Sequence, residues 1–422
     1  MRLWLIPTLY IAASVAAGLA LPRVERAYFT THTLDLSVSS AQAYLSAAAS
    51  GMMALTGIVF AMAFVMVQFS AIAYSPRLVL WFVRDRLVFH SLGVFVATFI
   101  YALFILAWVD RGGTATVPPI SPLIVGAMLV VSMVLFALLV QRLGGLQITS
   151  VLHLVGDKGR GVIDEMFKKA DPAALAQDAG RHIAEPARLG SPTQRLIYSG
   201  RPRTIAELDI DTLVRQAAGV GGVIVMTCAV GDTLVEGAEV LQVYGGARQL
   251  PANALLAAIR LEMQRTFEQD PKYPIRLLVD IAIKALSPAI NDPTTAVQTI
   301  DQIEDLLLRL GACELAAGYA QDASGAVRLV FPMPTWEDYM ALAFDEIRQY
   351  GGTSVQVMRR LRSALVQLAS LLPPARADVA RKYLAHLDAA IEYSSLDPED
   401  RLMAHQEDRQ GLGLSRRATQ SS

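Results

Sequence analysis

The residue types best suited to chemistry in this sequence gather in one short stretch. It runs Arg265-Thr-Phe-Glu-Gln-Asp270, passes Asp280, and continues as Ser287-Pro-Ala-Ile-Asn-Asp-Pro293. The carboxylates of Asp270, Asp280 and Asp292, with Arg265, Ser287 and Asn291, are a donor set for a cation or a polar ligand. The same residues also have an architectural reading. Ser287-Pro288 ends one helix, Asn291 suits a tight left-handed turn, Asp292 is a good N-cap and Pro293 suits the first helical position. Architecture carries more weight than ligand binding, because each residue type fills a helix-junction role where that role is needed. Elsewhere the six histidines (His32, His90, His153, His182, His386 and His405) show no zinc-ligand spacing. Cys228 and Cys313 are too far apart in sequence for a metal motif and form no disulfide framework. Phosphate-binding loops, nucleophile elbows and dinucleotide fingerprints do not occur. No catalytic residue, metal or cofactor is therefore assigned. An enzyme built on Asp270, Asp280 and Asp292 is the minor alternative.

What must position these residues is set by composition. Of 422 residues, 53% are hydrophobic and only 18% charged, with a mean hydropathy of +0.40. Lys and Arg number 37 against 38 Asp and Glu, which excludes a nucleic-acid binder driven by bulk positive charge. The deficit of charge is local. Residues 1–142 hold 8 basic and 4 acidic residues, while 143–422 hold 29 and 34, a net of −5. Four windows carry no charge at all: Leu3–Pro22, Leu36–Pro76, Leu87–Val109 and Gly112–Gln141. A bilayer core of about 30 Å needs roughly 20 apolar residues as helix. Four transmembrane helices are expected, over about 3–21, 46–73, 88–109 and 121–141. For the first, a cleaved signal peptide is the rival reading.

Basic flanks give the orientation. With the N-terminus inside, Arg2, Arg77, Arg84, Arg86 and Arg142 face the cytoplasm against Asp85, and the outer flanks balance to zero. Both termini are then cytoplasmic in a bacterial inner membrane.

The second window is the long one. A helix is expected to start at Ser39 or Ser40 as N-cap and run inward past Ser70. Ser46 and Ser50, then Gly57 and Ala61, place small residues at four-residue spacing. One reading is close helix packing within a bundle. The other is a pore-lining face at a homo-oligomer axis, with Thr56 and Gln68 adding polar groups. No charged residue lies in a membrane core, which argues against a transporter with a buried charge relay.

The rest reads as an α+β soluble region. A helical connector is expected over 146–195, a small β-sandwich over 196–250, helices over 251–395 and a disordered tail over 396–422. Within it, Thr204–Ala218 reads as helix, Gly221–Gly245 as strands and turns, and Ala252–Glu268 as helix. Gly311 reads as the residue ending the helix that begins near Pro293. The run from Val230 to Leu241 resembles the hairpin of biotinyl and lipoyl carrier domains over about a dozen residues. No Lys lies between Lys169 and Lys272, so it implies no carrier chemistry.

A wider resemblance rests on specific stretches. These are Tyr74-Ser-Pro-Arg-Leu78 with Val83-Arg-Asp-Arg86, Leu92-Gly-Val-Phe-Val-Ala-Thr-Phe99, Arg265–Asp270, Leu286 to Val297 with Ile300-Asp301, and Phe344-Asp-Glu-Ile-Arg-Gln-Tyr-Gly351. Together they resemble the domain of unknown function 2254 family of bacterial membrane proteins. The resemblance implies an integral inner-membrane protein with a large cytoplasmic domain, and no activity. Many members carry paired histidines at the end of the fourth helix. Here that region reads Val140-Gln-Arg-Leu-Gly-Gly-Leu146, so no metal or proton role transfers.

The expected function is a homo-oligomeric channel or small-solute pore with a cytoplasmic vestibule, its partners being the bilayer and an ion or small solute. The alternative is a membrane-anchored sensor or scaffold that binds a ligand or partner through its cytoplasmic domain.

Overall fold

The computed structural model describes residues 4–28, 37–69, 86–109, 117–144, 148–167, 169, 190–315 and 318–413. The Tyr74–Leu78 signature, most of the outer loops and the segment 170–189 lie outside the described residues. Two compact units divide the chain at Ile148 and Thr149.

The first unit holds four helices long and apolar enough to span a membrane: α1 (Leu5–Tyr28), α2 (Val38–Phe69), α3 (Arg86–Leu106) and α4 (Ser121–Gly144). The third is central and packs on the other three. Small residues allow its closest approaches. A Cβ on Gly18 of α1 would stand 2.7 Å from Phe104, and one on Gly93 of α3 would stand 2.6 Å from Tyr10. Ser14 Oγ donates to Ala97 O across that seam at 2.6 Å. Inside the bundle, Thr98 and Ser132 donate to Val94 O and Met128 O of their own helices, so neither hydroxyl is left unsatisfied in an apolar surround. At one end, the buried Glu25 carboxylate accepts from Ile120 N at 3.1 Å and Ser121 Oγ at 2.5 Å, capping the start of α4. The Arg23 and Arg26 guanidinium groups lie 5.2 and 5.3 Å from the Trp108 ring centroid, within cation–π range.

The helix α2 begins two or three residues earlier than expected. Ser37, not Ser39 or Ser40, accepts the backbone N–H of Ser40 at 3.1 Å, because Val38 already has helical geometry.

The second unit begins with α5 (Ile148–Met166). Two sheets follow. Strands β1 (Gln194–Ile197), β5 (Glu239–Gly245), β3 (Gly222–Met226), β8 (Val327–Val330) and β7 (Tyr319–Gln321) form a mixed five-stranded sheet in that order. The pair β3 and β8 is parallel, and the other pairs are antiparallel. Strands β4 (Thr233–Leu234), β2 (Arg203–Leu208) and β6 (Ile259–Glu262) form the smaller antiparallel sheet. Helices α6 (Ile210–Val220) and α7 (Ala252–Ala257) complete one core with both sheets, around Leu213, Ile224, Leu234, Val240, Leu255 and Leu329.

Three expectations are corrected here. The segment 196–250 is no closed sandwich, since β6, β7 and β8 arrive from beyond residue 250 to complete its sheets. Residues 203–208 form a strand, because Asp209 caps α6 through Thr212 N and the helix cannot start sooner. Residues 259–262 leave the expected helix to pair with β2, Leu208 opposite Ile259, which extends the sheet and buries Ile259.

Helices form the rest: α8 (Lys272–Ala285), α9 (Pro293–Gly311), α10 (Trp336–Tyr350), α11 (Val355–Leu371), α12 (Pro374–Glu392) and α13 (Pro398–Ala404). Gly311 is the last residue of α9 rather than the residue past its end. It is small because Leu372 lies against it, 2.5 Å from any added Cβ. The polar tail is ordered through residue 413, against the expected disorder. Asp408 is buried and accepts from Gln410 N, Gly411 N and Gly413 N, while Arg359 Nη1 donates to Gly413 O at 3.0 Å. Satisfied backbone groups and a buried ion-bearing turn replace the apolar pattern that sequence reading relies on.

Candidate functional site

Beneath the smaller sheet, the start of α8 meets the turn between β3 and β4. The turn is fixed by backbone bonds. Gly231 N donates to Ile205 O at 2.8 Å, Ile205 N to Asp232 O at 2.9 Å, and the Asp232 carboxylate accepts from Ala229 N at 2.8 Å. Gly231 has φ of +91°, a conformation that glycine takes without strain. The segment before α8 is clamped by Gln269. Its side-chain amide accepts from Leu208 N at 3.0 Å and donates to Leu208 O at 3.2 Å, acting as a strand partner at the end of β2. Gln269 adopts φ of +49° to do so, a strained choice for a residue with a side chain.

That clamp sets Asp270 in place, with 1% of its surface exposed. Arg265 Nε lies 2.7 Å from Asp270 Oδ2, an ion pair whose angle falls outside hydrogen-bond geometry. Neither carboxylate oxygen receives a well-directed hydrogen bond. Burial pushes the Asp270 carboxyl above the usual carboxylate range, against the opposing pull of Arg265 and Lys272. Tyr339 of α10 is fully buried with its hydroxyl unpaired. Burial and then the charge of Asp270 raise its pKa above the usual phenol range.

Asp270 lines a cavity of about 270 Å³. Met166, Phe167, Leu208, Ile210, Phe331 and Met333 supply apolar wall. Lys272 also lines it, its Nζ 3.3 Å from Val230 O, and Glu314 stands exposed at its edge. A mainly apolar concavity with a few polar groups is the usual form of a small-molecule site.

The remaining motif residues lie elsewhere. Helix α8 has 14 residues, so its two ends are about 21 Å apart. Arg265 and Asp270 precede it, and Ser287, Asn291 and Asp292 follow it. They do not converge. Asp280, partway along, accepts from Arg276 Nε at 2.7 Å, and Arg276 also reaches Glu346 of α10. At the far end Ser287 Oγ donates to Lys284 O, Asn291 sits at φ of +50°, and Asp292 accepts from Thr295 N at 3.1 Å and Thr295 Oγ1 at 2.6 Å. These are helix-junction bonds. Sequence reading missed Lys272, Gln269 and Tyr339. Only the glycine turn at Gly231 gave a local signal.

In α2, Ser46, Ser50, Gly57 and Gln68 are exposed and share one stripe, while Thr56 is buried on the other side and donates to Met52 O at 2.7 Å. Thr56 therefore leaves the face on which sequence reading placed it. Among the described residues no atom lies within 4 Å of a Cβ added to Gly57, so that part of the stripe packs on none of them. The inward face is instead Ala41, Leu45, Ala48, Ala49 and Met52.

The family profile described as predicted membrane protein, DUF2254, matches residues 1–367. The chain belongs to the DUF2254 family. Two relatives agree: uncharacterised proteins of Mycobacterium bovis and of Mycobacterium tuberculosis, each 26% identical over 435 residues, covering 99% of this chain and 80% of the relative. No solved structure matches. The matched range takes in the four spans, both sheets and the Asp270 cavity of this DUF2254 member.

Proposed function

We propose that the protein is a membrane-anchored receptor whose α/β unit binds a small ligand on the cytoplasmic face of a bacterial inner membrane. The observation that carries this reading is the mainly apolar cavity of about 270 Å³, with Asp270, whose carboxylate is buried, among the residues that line it. Burying a carboxylate is costly, and such groups concentrate at functional sites. The basic flanks supply the orientation, with both termini inside. The test is thermal unfolding of the full-length protein in detergent with cationic, neutral and anionic aromatic compounds of cavity size. At least one compound should protect the wild type and lose its effect in Ala229→Phe and Ala320→Phe, which fill the cavity. No protection by any charge class would end the receptor reading.

A second reading is supported by the exposed Ser46, Ser50, Gly57 and Gln68 stripe. Facing copies of α2 would then surround a path for an ion or small solute in a homo-oligomer. Ion flux in liposomes containing the purified protein tests it, and a reconstituted oligomer that passes no ion under any voltage would end it.

A further inference from the structure

Met166, Phe167, Ile210, Phe331 and Met333 line the cavity, and each of these large apolar residues is only half-buried. They come from three separate stretches of chain: the end of α5, the start of α6 and the segment after β8. Apolar surface left open and gathered into one concavity marks a place where something binds. The polar side chains of the wall are turned to partners in the protein. Both polar groups of the Gln269 amide are on the Leu208 backbone. The Asp270 carboxylate is closed to solvent and lies on Arg265 against Gly231, neither of which is among the residues lining the cavity. Lys272 Nζ donates to Val230 O and has Asp270 as a nearby counter-charge. Glu314 and Tyr319 are exposed to solvent. What these side chains leave for a ligand is chiefly apolar surface.

We propose that the ligand is a small uncharged hydrophobic molecule, held by burial of its hydrocarbon among Met166, Phe167, Ile210, Phe331 and Met333. This rests on the receptor reading above. Size follows from volume. A cavity of about 150 Å³ accommodates benzene, so about 270 Å³ takes a molecule of about ten heavy atoms. A helix, about 10–12 Å across, is too wide for such a space, which sets a helical protein segment aside. Met166 and Met333 suit a ligand chosen by volume more than by outline, because the thioether side chain adapts its shape to what it packs on. A charged head brought among these groups would give up its water and meet mostly hydrocarbon.

Primary alkanols from 1-pentanol to 1-dodecanol provide the test, titrated calorimetrically into the full-length protein in detergent, with Ala320→Phe in the same detergent as the blank. Referred to free alkanol, each added methylene should tighten binding about fourfold, the equivalent of about 0.8 kcal/mol. The gain should stop at about ten heavy atoms, where the cavity is full. Met333→Ala removes about three heavy atoms from the wall, so its series should stop about three methylenes later. Both proteins share the same micelles, so partition into detergent cancels in that comparison. At ten heavy atoms, nonylammonium and octanoate should each bind the wild type about tenfold or more weakly than 1-nonanol. That comparison needs no variant, so it decides the matter even if Met333→Ala fails to fold. If either charged probe binds as tightly as 1-nonanol, or Met333→Ala stops at the wild-type length, the uncharged hydrophobic class is wrong while the receptor reading stands. Binding of no alkanol overturns the class as well, and the receptor reading is then decided by the aromatic panel.

Discussion

Gly231 lies in contact with Arg265: a Cβ on the glycine would stand 2.5 Å from the guanidinium Nε and 2.6 Å from Asp270 Oδ2. The turn between β3 and β4 is thus the floor on which the ion pair rests, and its lack of a side chain is what lets Arg265 reach Asp270. Gly231→Ala should cost about 1–3 kcal/mol from backbone strain alone, with displacement of Arg265 added. Denaturant melts of the full-length protein measure the loss. A variant as stable as wild type would show that the pair does not depend on this contact.

The buried carboxyl gives a pH signature. Asp270 faces Arg265 and Lys272, with the Tyr339 hydroxyl close enough to feel its charge, and its net shift is upward. The folded protein therefore holds this proton more tightly than the unfolded chain. Its contribution to stability is present at low pH and is lost as pH rises from the ordinary carboxylate range through the raised folded value. Asp270→Asn should abolish that dependence. Relative to wild type it should be most stable near neutral pH, and the difference should close as pH falls. Melts across that range decide it, and a difference that widens on acidification would reverse the assignment.

Between α9 and α11 lies a buried ion pair. Arg360 Nε stands 2.7 Å from Asp301, its Nη2 bonds Glu304, and Arg360 and Glu304 are both nearly inaccessible. Arg360→Met strands the Glu304 charge and should cost about 3–5 kcal/mol, whereas Arg360→Met with Glu304→Leu should cost far less. A double-mutant cycle in denaturant reads the difference. Additive losses would refute coupling.

At the junction of α8 and α9, Asp292→Ala should cost about 0.5–2 kcal/mol through loss of the N-cap. Asn291→Gly should be tolerated and Asn291→Val should not, because φ there is +50°. Ligand binding in the Asp270 cavity should be unchanged in the tolerated variants. A selective loss of binding in a fully stable Asp292→Ala would contradict the separation of the two ends of α8.

In the membrane unit, Ser50 and Ala49 are adjacent yet face opposite environments. Ala49→Trp should prevent the bundle from packing and lower the yield of monodisperse protein. Ser50→Trp should leave the single-chain bundle intact and lower only the oligomer fraction in detergent. Equal losses from both would mean that the stripe is part of the bundle.

The spans were legible because charge is nearly forbidden in lipid, so four uncharged windows mark α1 to α4 in any reading of the chain. The Asp292 junction was legible for a similar reason: caps and turns are local. The sheets were only partly so. Strand β3 announces itself by composition, but its neighbour β8 lies about a hundred residues away, and nothing local to Ile259 says that it pairs with Leu208. The cavity was the least legible feature. Arg265 and Asp270 stood out as residue types, whereas Tyr339, Lys272 and the Gln269 clamp gain meaning only when distant segments meet.

The turn at Asp408 bears on where this protein can be cut. The family profile ends at residue 367, four residues before α11 ends at Leu371, yet Arg359 Nη1 within α11 donates to Gly413 O and Val297 of α9 lies beneath Gly411. A truncation at the end of that profile would sever a helix and remove the carbonyl that Arg359 Nη1 bonds. For expression, the useful terminus lies past residue 413, where the last glycine closes the seam.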